Sequence, residues 1–170
     1  MRSRFIALGG LLVAITGLTG CSPAVVGAIA LTGYDLRERT LSVMLVVCEG
    51  YIDKLLVFEP EILPTPSASV PARPGDRDDV SLGIHTAGVF HLTVDDVDLS
   101  DAGGGFEVSG TGGNGSLVFP YVARTPSIEN IMLSQLASLR PGEVLSGESP
   151  YGGKATVMAE EAFEAAACDY

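Results

Sequence analysis

The 170-residue chain predicts a mainly β fold, a β-sandwich with one short helix near residues 128–139. Three observations carry that expectation. Apolar runs of strand length alternate with Gly, Pro and Asp clusters, and a period of two is plain in residues 88–97. Near-helical spacing dominates only one stretch. The two later cysteines, Cys48 and Cys168, stand one beside an early strand and one near the end, so that bridging them would make the intervening chain one folded unit.

Residues 24–32 and 40–48 are runs rich in Val, Leu, Ile and Ala, separated by the polar stretch 33–39, which fits a hairpin. Glu49-Gly50 is a turn signal, and residues 51–58 supply a third run, so the three form an expected meander. Residues 41–47 lack strict alternation, which leaves a buried strand and a buried helix open; the short length and the valines favour the strand. Residues 60–75 hold five of the ten prolines, Pro60, Pro64, Pro66, Pro71 and Pro74, and therefore cannot join a central sheet. They read as a long Pro-rich loop within the domain, with Asp76, Asp78 and Asp79 at its polar end.

Beyond the loop, residues 80–84 and 88–97 are strands, with Phe90, Leu92 and Val94 as the core face against Val89, His91 and Thr93. Residues 106–109 and 116–122 form an expected hairpin around the glycine-rich stretch 110–115. Ile131, Leu133, Leu136 and Leu139 then recur at near-helical spacing until Pro141-Gly142, giving the short helix. Residues 143–145 and 154–158 are closing strands, and the alanine-rich 160–167 makes a last helical turn before Cys168. An immunoglobulin label does not carry over strictly, because the chain has no tryptophan and its cysteines stand too far apart.

The first twenty residues obey a different logic. Arg2 and Arg4 form a basic start, and residues 5–18 are an uncharged apolar core, short for a membrane span, which wants about 20 apolar residues. Leu18-Thr19-Gly20-Cys21 resembles the lipobox of bacterial lipoproteins. The resemblance implies a signal peptide at residues 1–20, lipidation of Cys21, cleavage before it and a membrane anchor made of acyl chains. The competing reading is an uncleaved anchor extended through residues 24–31; Gly17, Gly20 and Pro23 argue against a continuous helix there. Cleavage would leave residues 21–170 as a single extracytoplasmic β domain at the cell envelope. Together with Cys48-Glu49-Gly50-Tyr51-Ile52-Asp53 at a strand turn, the lipobox is similar to small lipoproteins of high-GC Gram-positive bacteria. That similarity implies an anchored domain and no particular activity.

The whole chain carries a net charge of −11, and loss of Arg2 and Arg4 would take it to −13. Such a surface repels nucleic acid and anionic headgroups, since phosphate binding needs clustered Lys and Arg, and the basic residues here are scattered singly. With Cys21 lipidated, Cys48 and Cys168 remain as an even pair, expected to be joined in an oxidising compartment; two free buried thiols are the competing reading. A zinc or redox site is disfavoured, because no Cys-x-x-Cys spacing occurs.

No Gly-x-Ser-x-Gly elbow, His-Glu-x-x-His helix, P-loop or dinucleotide fingerprint occurs, and no residue is assigned a catalytic role. His85 and His91 read as strand-surface residues, with a triad assembled across the sheet as the competing reading. The sharpest candidate site is calcium at Asp96, Asp98, Ser100 and Asp101, where carboxylate and hydroxyl oxygens alternate. The stretch departs from the EF-hand pattern, because Asp101 stands where the turn needs glycine; a solvated, Asp-rich strand end is the plainer reading, and no other cofactor is expected. Two functional classes follow. One is a non-catalytic module presenting loops to a protein, glycan or small ligand; the other is an extracytoplasmic hydrolase or a calcium-dependent binding protein.

Overall fold

The computed structural model describes residues 24–58, 77–99, 105–113, 122–149 and 152–169. Within them the elements in order are β1 (Ala24–Val25), β2 (Gly27–Asp35), β3 (Thr40–Val47), β4 (Tyr51–Phe58), β5 (Arg77–Ile84), β6 (Gly88–Val94), β7 (Phe106–Gly113), β8 (Val122–Arg124), β9 (Ile128–Ile131), α1 (Leu133–Ser138), β10 (Glu143–Ser149), β11 (Gly152–Ala159) and α2 (Glu160–Ala166). The fold is mainly β with short helices, as the sequence predicts. The expected signal peptide, Cys21, the Pro-rich loop 60–75, Ser100 and Asp101 lie outside the described residues.

Hydrogen bonding runs continuously through β5-β4-β7-β9-β11-β10-β2-β3-β6, with β8 and then β1 attached along the far half of β7. The two packed faces of the expected sandwich are thus joined into one nearly closed, barrel-like sheet. The four-residue β9 makes that join, pairing antiparallel with β7 on one side and parallel with β11 on the other. Its Ile128 and Ile131 both point into the interior, which is why the helical spacing of residues 128–139 resolves into a strand followed by a shorter helix. Asn130 takes a positive φ of 55° between them. The Gln135 side chain then accepts the Met132 amide at 2.8 Å, and α1 places Leu136 in the core, with Leu133 and Leu139 packed against it.

The expected meander of β2, β3 and β4 breaks after the first hairpin. β2 and β3 pair through Ile29↔Leu45 and Leu31↔Val43, but the next neighbour of β3 is β6, and β4 pairs with β5 and β7 instead. The turn at 48–50 redirects the chain, with Gly50 at φ 70°, a conformation that costs glycine little. The Cys48 and Glu49 amides both bond to the Val26 carbonyl, at 2.8 and 3.3 Å, so the turn is held against the strand that enters the sheet.

Two apolar clusters result. The larger fills the barrel with Ile29, Leu31, Val43, Leu45, Ile52, Leu55, Phe106, Val108 and Leu145, among others. The smaller lies on the outer face of β2, β3 and β10, where Ala30, Met44, Val46 and Val144 are covered by Phe163 and Ala167. The sheet is therefore buried on both sides along β3. That is the physical reason its sequence does not alternate.

The registers also sort the loops into two ends. One end gathers β1, the 48–50 turn, the 85–87 turn, the Pro126-Ser127 entry to β9, the paired Ser149 and Gly152 of β10 and β11, and Cys168. The other gathers the 36–39 turn, residues 95–99, α1 and the start of α2, whose Glu160 amide bonds to the Gly142 carbonyl at 2.9 Å.

Candidate functional site

The second helix is the element that makes a site. Glu-Glu-Ala-Phe-Glu-Ala-Ala has high helix propensity, and Glu160 and Glu161 in the first turn complement the positive end of the helix dipole. Phe163 and Ala167, four residues apart, fall on one face and bury against the sheet. The helix runs from the far end of the barrel back to the end where the chain enters. There Cys168 is bonded to Cys48, with Cα atoms 5.7 Å apart. In the chain-entropy model a loop of this length is worth about 5 kcal/mol, and the bond also clamps the helix end onto β3.

Where the helix leaves the sheet, a cleft of about 160 Å³ opens between it and the strand ends opposite. Its floor is Ala28, Met158, Phe163 and Ala167, and Pro126 and Gly147 form the far wall. That wall depends on close backbone approach. Gly152, at φ 101°, meets the Ser127 backbone so closely that a Cβ would collide with the Ser127 carbonyl, and the Gly153 amide bonds to the same carbonyl at 3.1 Å. The β10–β11 ladder shifts register between Gly147 and Ser149 beside this contact, which turns Glu148 outward at the rim. Ser146 contributes a hydroxyl, and the exposed Glu148 and Asp169 carboxylates flank the mouth; among the described residues no Lys, Arg or His lines it. The cleft thus offers an apolar seat with negative charge at its lip.

The remaining candidates are placed apart. His85 Nε2 lies 3.9 Å from Asp53 Oδ1 with its ring 5.2 Å from that of Tyr51, whereas His91 Nε2 lies 3.8 Å from Glu160 Oε1 on the outer face of β6. Each histidine thus has its own carboxylate on a different part of the barrel. In the acidic stretch, Val97 and Leu99 point into the core while Asp96 and Asp98 face outward. Asp98 pairs with Arg39 at 3.2 Å, and the Val97 amide bonds to the Arg39 carbonyl at 3.0 Å. The Tyr34 hydroxyl donates to the Val97 carbonyl at 2.7 Å, which pins the segment across the barrel end. Among the described residues no group of three or more His, Cys, Asp and Glu is arranged to hold a metal.

The cleft residues escape sequence reading because they come from four separated segments, around 28, 126, 147 and 158–169. A signal was nevertheless present: an apolar strand without alternation, together with Phe163 and Ala167 at helical spacing, calls for a helix laid over a sheet. Fold and cleft together define a nearly closed β-barrel domain with a disulfide-clamped helix on its outer face. No family model, curated protein or solved structure matches the chain.

Proposed function

We propose that this protein is a lipid-anchored envelope module that binds a small amphipathic cation non-catalytically in the cleft beside α2. The observation that carries the reading is the cleft itself, an apolar seat of about 160 Å³ whose charged lining groups, among the described residues, are Glu148 and Asp169. A space of this order takes a benzene-sized group, for which about 150 Å³ suffices. The two carboxylates at the lip favour a positive charge on the part of the ligand that stays in water. The lipobox at Leu18-Thr19-Gly20-Cys21 and the acidic surface support the anchored, envelope half of the reading. A clamped helix end suits binding, because a preformed seat loses little ordering entropy when it fills.

The test is titration of the protein with phenethylammonium, followed by the NMR signals of the Met158 methyl and the Phe163 ring, with 3-phenylpropionate as the same ring bearing the opposite charge. Saturable shifts with the cation alone are expected. Ala166→Trp, which puts a large ring at an exposed lining position, should remove them. Equal shifts with both probes, or none with either, would sink the reading.

A further inference from the structure

The chain reaches its first strand almost immediately after Cys21. Three residue steps separate Cys21 from Ala24, and fully extended they span at most about 10 Å. From Ala24 onward the backbone is fixed, β1 along β8 and Val26 to both sides. Ala24 and Val25 pair with Ala123 and Arg124 of β8, the Val26 amide bonds to the Arg124 carbonyl at 3.3 Å, and the Val26 carbonyl accepts the Cys48 and Glu49 amides. No slack remains between the anchor position and the barrel.

Resting on the lipid-anchor reading above, we propose that this tether holds the chain-entry end of the barrel against the surface of its own membrane. The end carrying the 48–50 and 85–87 turns and the mouth of the cleft faces the bilayer, and the end carrying the 36–39 turn and α1 faces away. The two ends are separated by the length of β3, eight residues or about 25 Å, so a tether of about 10 Å cannot present both equally. Geometry rather than attraction imposes the orientation, because the facing end carries Glu49, Asp53, Glu148 and Asp169 alongside Lys54, Arg124 and Lys154 and is not a basic surface. The partner is accordingly a lipid surface contacted through the acyl anchor, with the cleft opening at the membrane–water interface, where amphipathic cations collect.

The chain has no tryptophan, so a single introduced indole reports its own surroundings. Thr86→Trp marks the facing end and Glu38→Trp the opposite turn, both at exposed positions. The acylated full-length variants, purified from membranes, are reconstituted into phosphatidylcholine vesicles carrying a headgroup quencher, and the acyl mass on Cys21 is measured on the same samples. Severalfold stronger quenching at Thr86→Trp than at Glu38→Trp is expected. Inserting about 12 Gly/Ser residues after Pro23, with a root-mean-square reach of about 19 Å, should erase most of that difference. Equal quenching on the native tether, with the acyl mass present, overturns the orientation and leaves the anchor standing. A difference that survives the insertion overturns the tether as its cause, and absence of the acyl mass overturns anchor and orientation together.

Discussion

Strands β3 and β6 lie side by side in one sheet, paired from Leu41↔Val94 to Val47↔Gly88, yet their sequences follow different rules. In β6 the residues alternate: Phe90, Leu92 and Val94 face the barrel interior, while Val89, His91 and Thr93 stand exposed. In β3 both faces are apolar, with Val43 and Leu45 inside and Met44 and Val46 outside. β3 is bonded on both edges, to β2 and β6, whereas β6 ends the strand order, but that difference does not set which face of a strand is polar. The difference lies in what covers the outer face, since α2 reaches over β3 and stops at β6, where His91 lies beside Glu160 at the helix start. Val46 is 5% exposed and its cross-strand partner Val89 is 38% exposed. A single added helix therefore decides whether a strand reads as amphipathic or as wholly buried, and its margin is where the cleft opens.

The strongest way to break the comparison is to put a polar side chain on each side of it. Met44→Asp places an unpaired carboxylate beneath α2 and should cost at least about 3–5 kcal/mol, enough to lose the cooperative thermal transition. His91→Gln, at the position paired with Met44, should stay within about 0.5 kcal/mol in the same melt. A cost at His91 matching that at Met44 would mean that the helix covers both strands.

Releasing the clamp is the next largest change. The double substitution Cys48→Ala and Cys168→Ala should lower stability by about 2–4 kcal/mol, read as a fall in the urea midpoint. It should also weaken phenethylammonium binding, because the end of α2 forms one side of the cleft. Retained affinity in a folded, destabilised variant would show that the cleft does not need its clamp.

The finest test stays within one cross-strand pair. Val46→Ser exchanges a buried isopropyl group for a hydroxyl and should cost about 1–3 kcal/mol, whereas Val89→Ser should change stability by less than about 0.5 kcal/mol. Chemical denaturation of the two single variants resolves the contrast. Equal effects would place the edge of the helix cover beyond β6.

Much of the strand content was legible because alternation is a local property. Residues 88–94 carry it openly, and their inward set is the one the period of two selects. Residues 51–58 were legible as a strand but not as a neighbour of β5 and β7, since pairing partners are fixed by long-range packing and by the redirecting turn at Gly50. Ile128 to Ile131 misled in the opposite way. Its isoleucines fit the first turn of a helix, and only the gap between β7 and β11 makes them a strand. The acidic stretch suggested ligation through Asp96 and Asp98, yet these residues share their segment with Val97 and Leu99, whose burial sets the alternation, and Asp98 is directed to Arg39.

The residues by themselves determined that this chain builds strands, where most of them begin, which positions of β6 face inward, and which two cysteines remain to be paired once Cys21 is set aside. Such features depend on neighbours a few positions away, and side-chain period and turn chemistry encode them directly. Only the tertiary structure decided that the sheet nearly closes through β9, that α2 covers β3 and not β6, and that Ala28, Glu148, Phe163 and Asp169 meet around one cleft. Those outcomes come from segments distant in the sequence, brought together by burial of apolar surface, which is non-directional and leaves no local mark in the sequence.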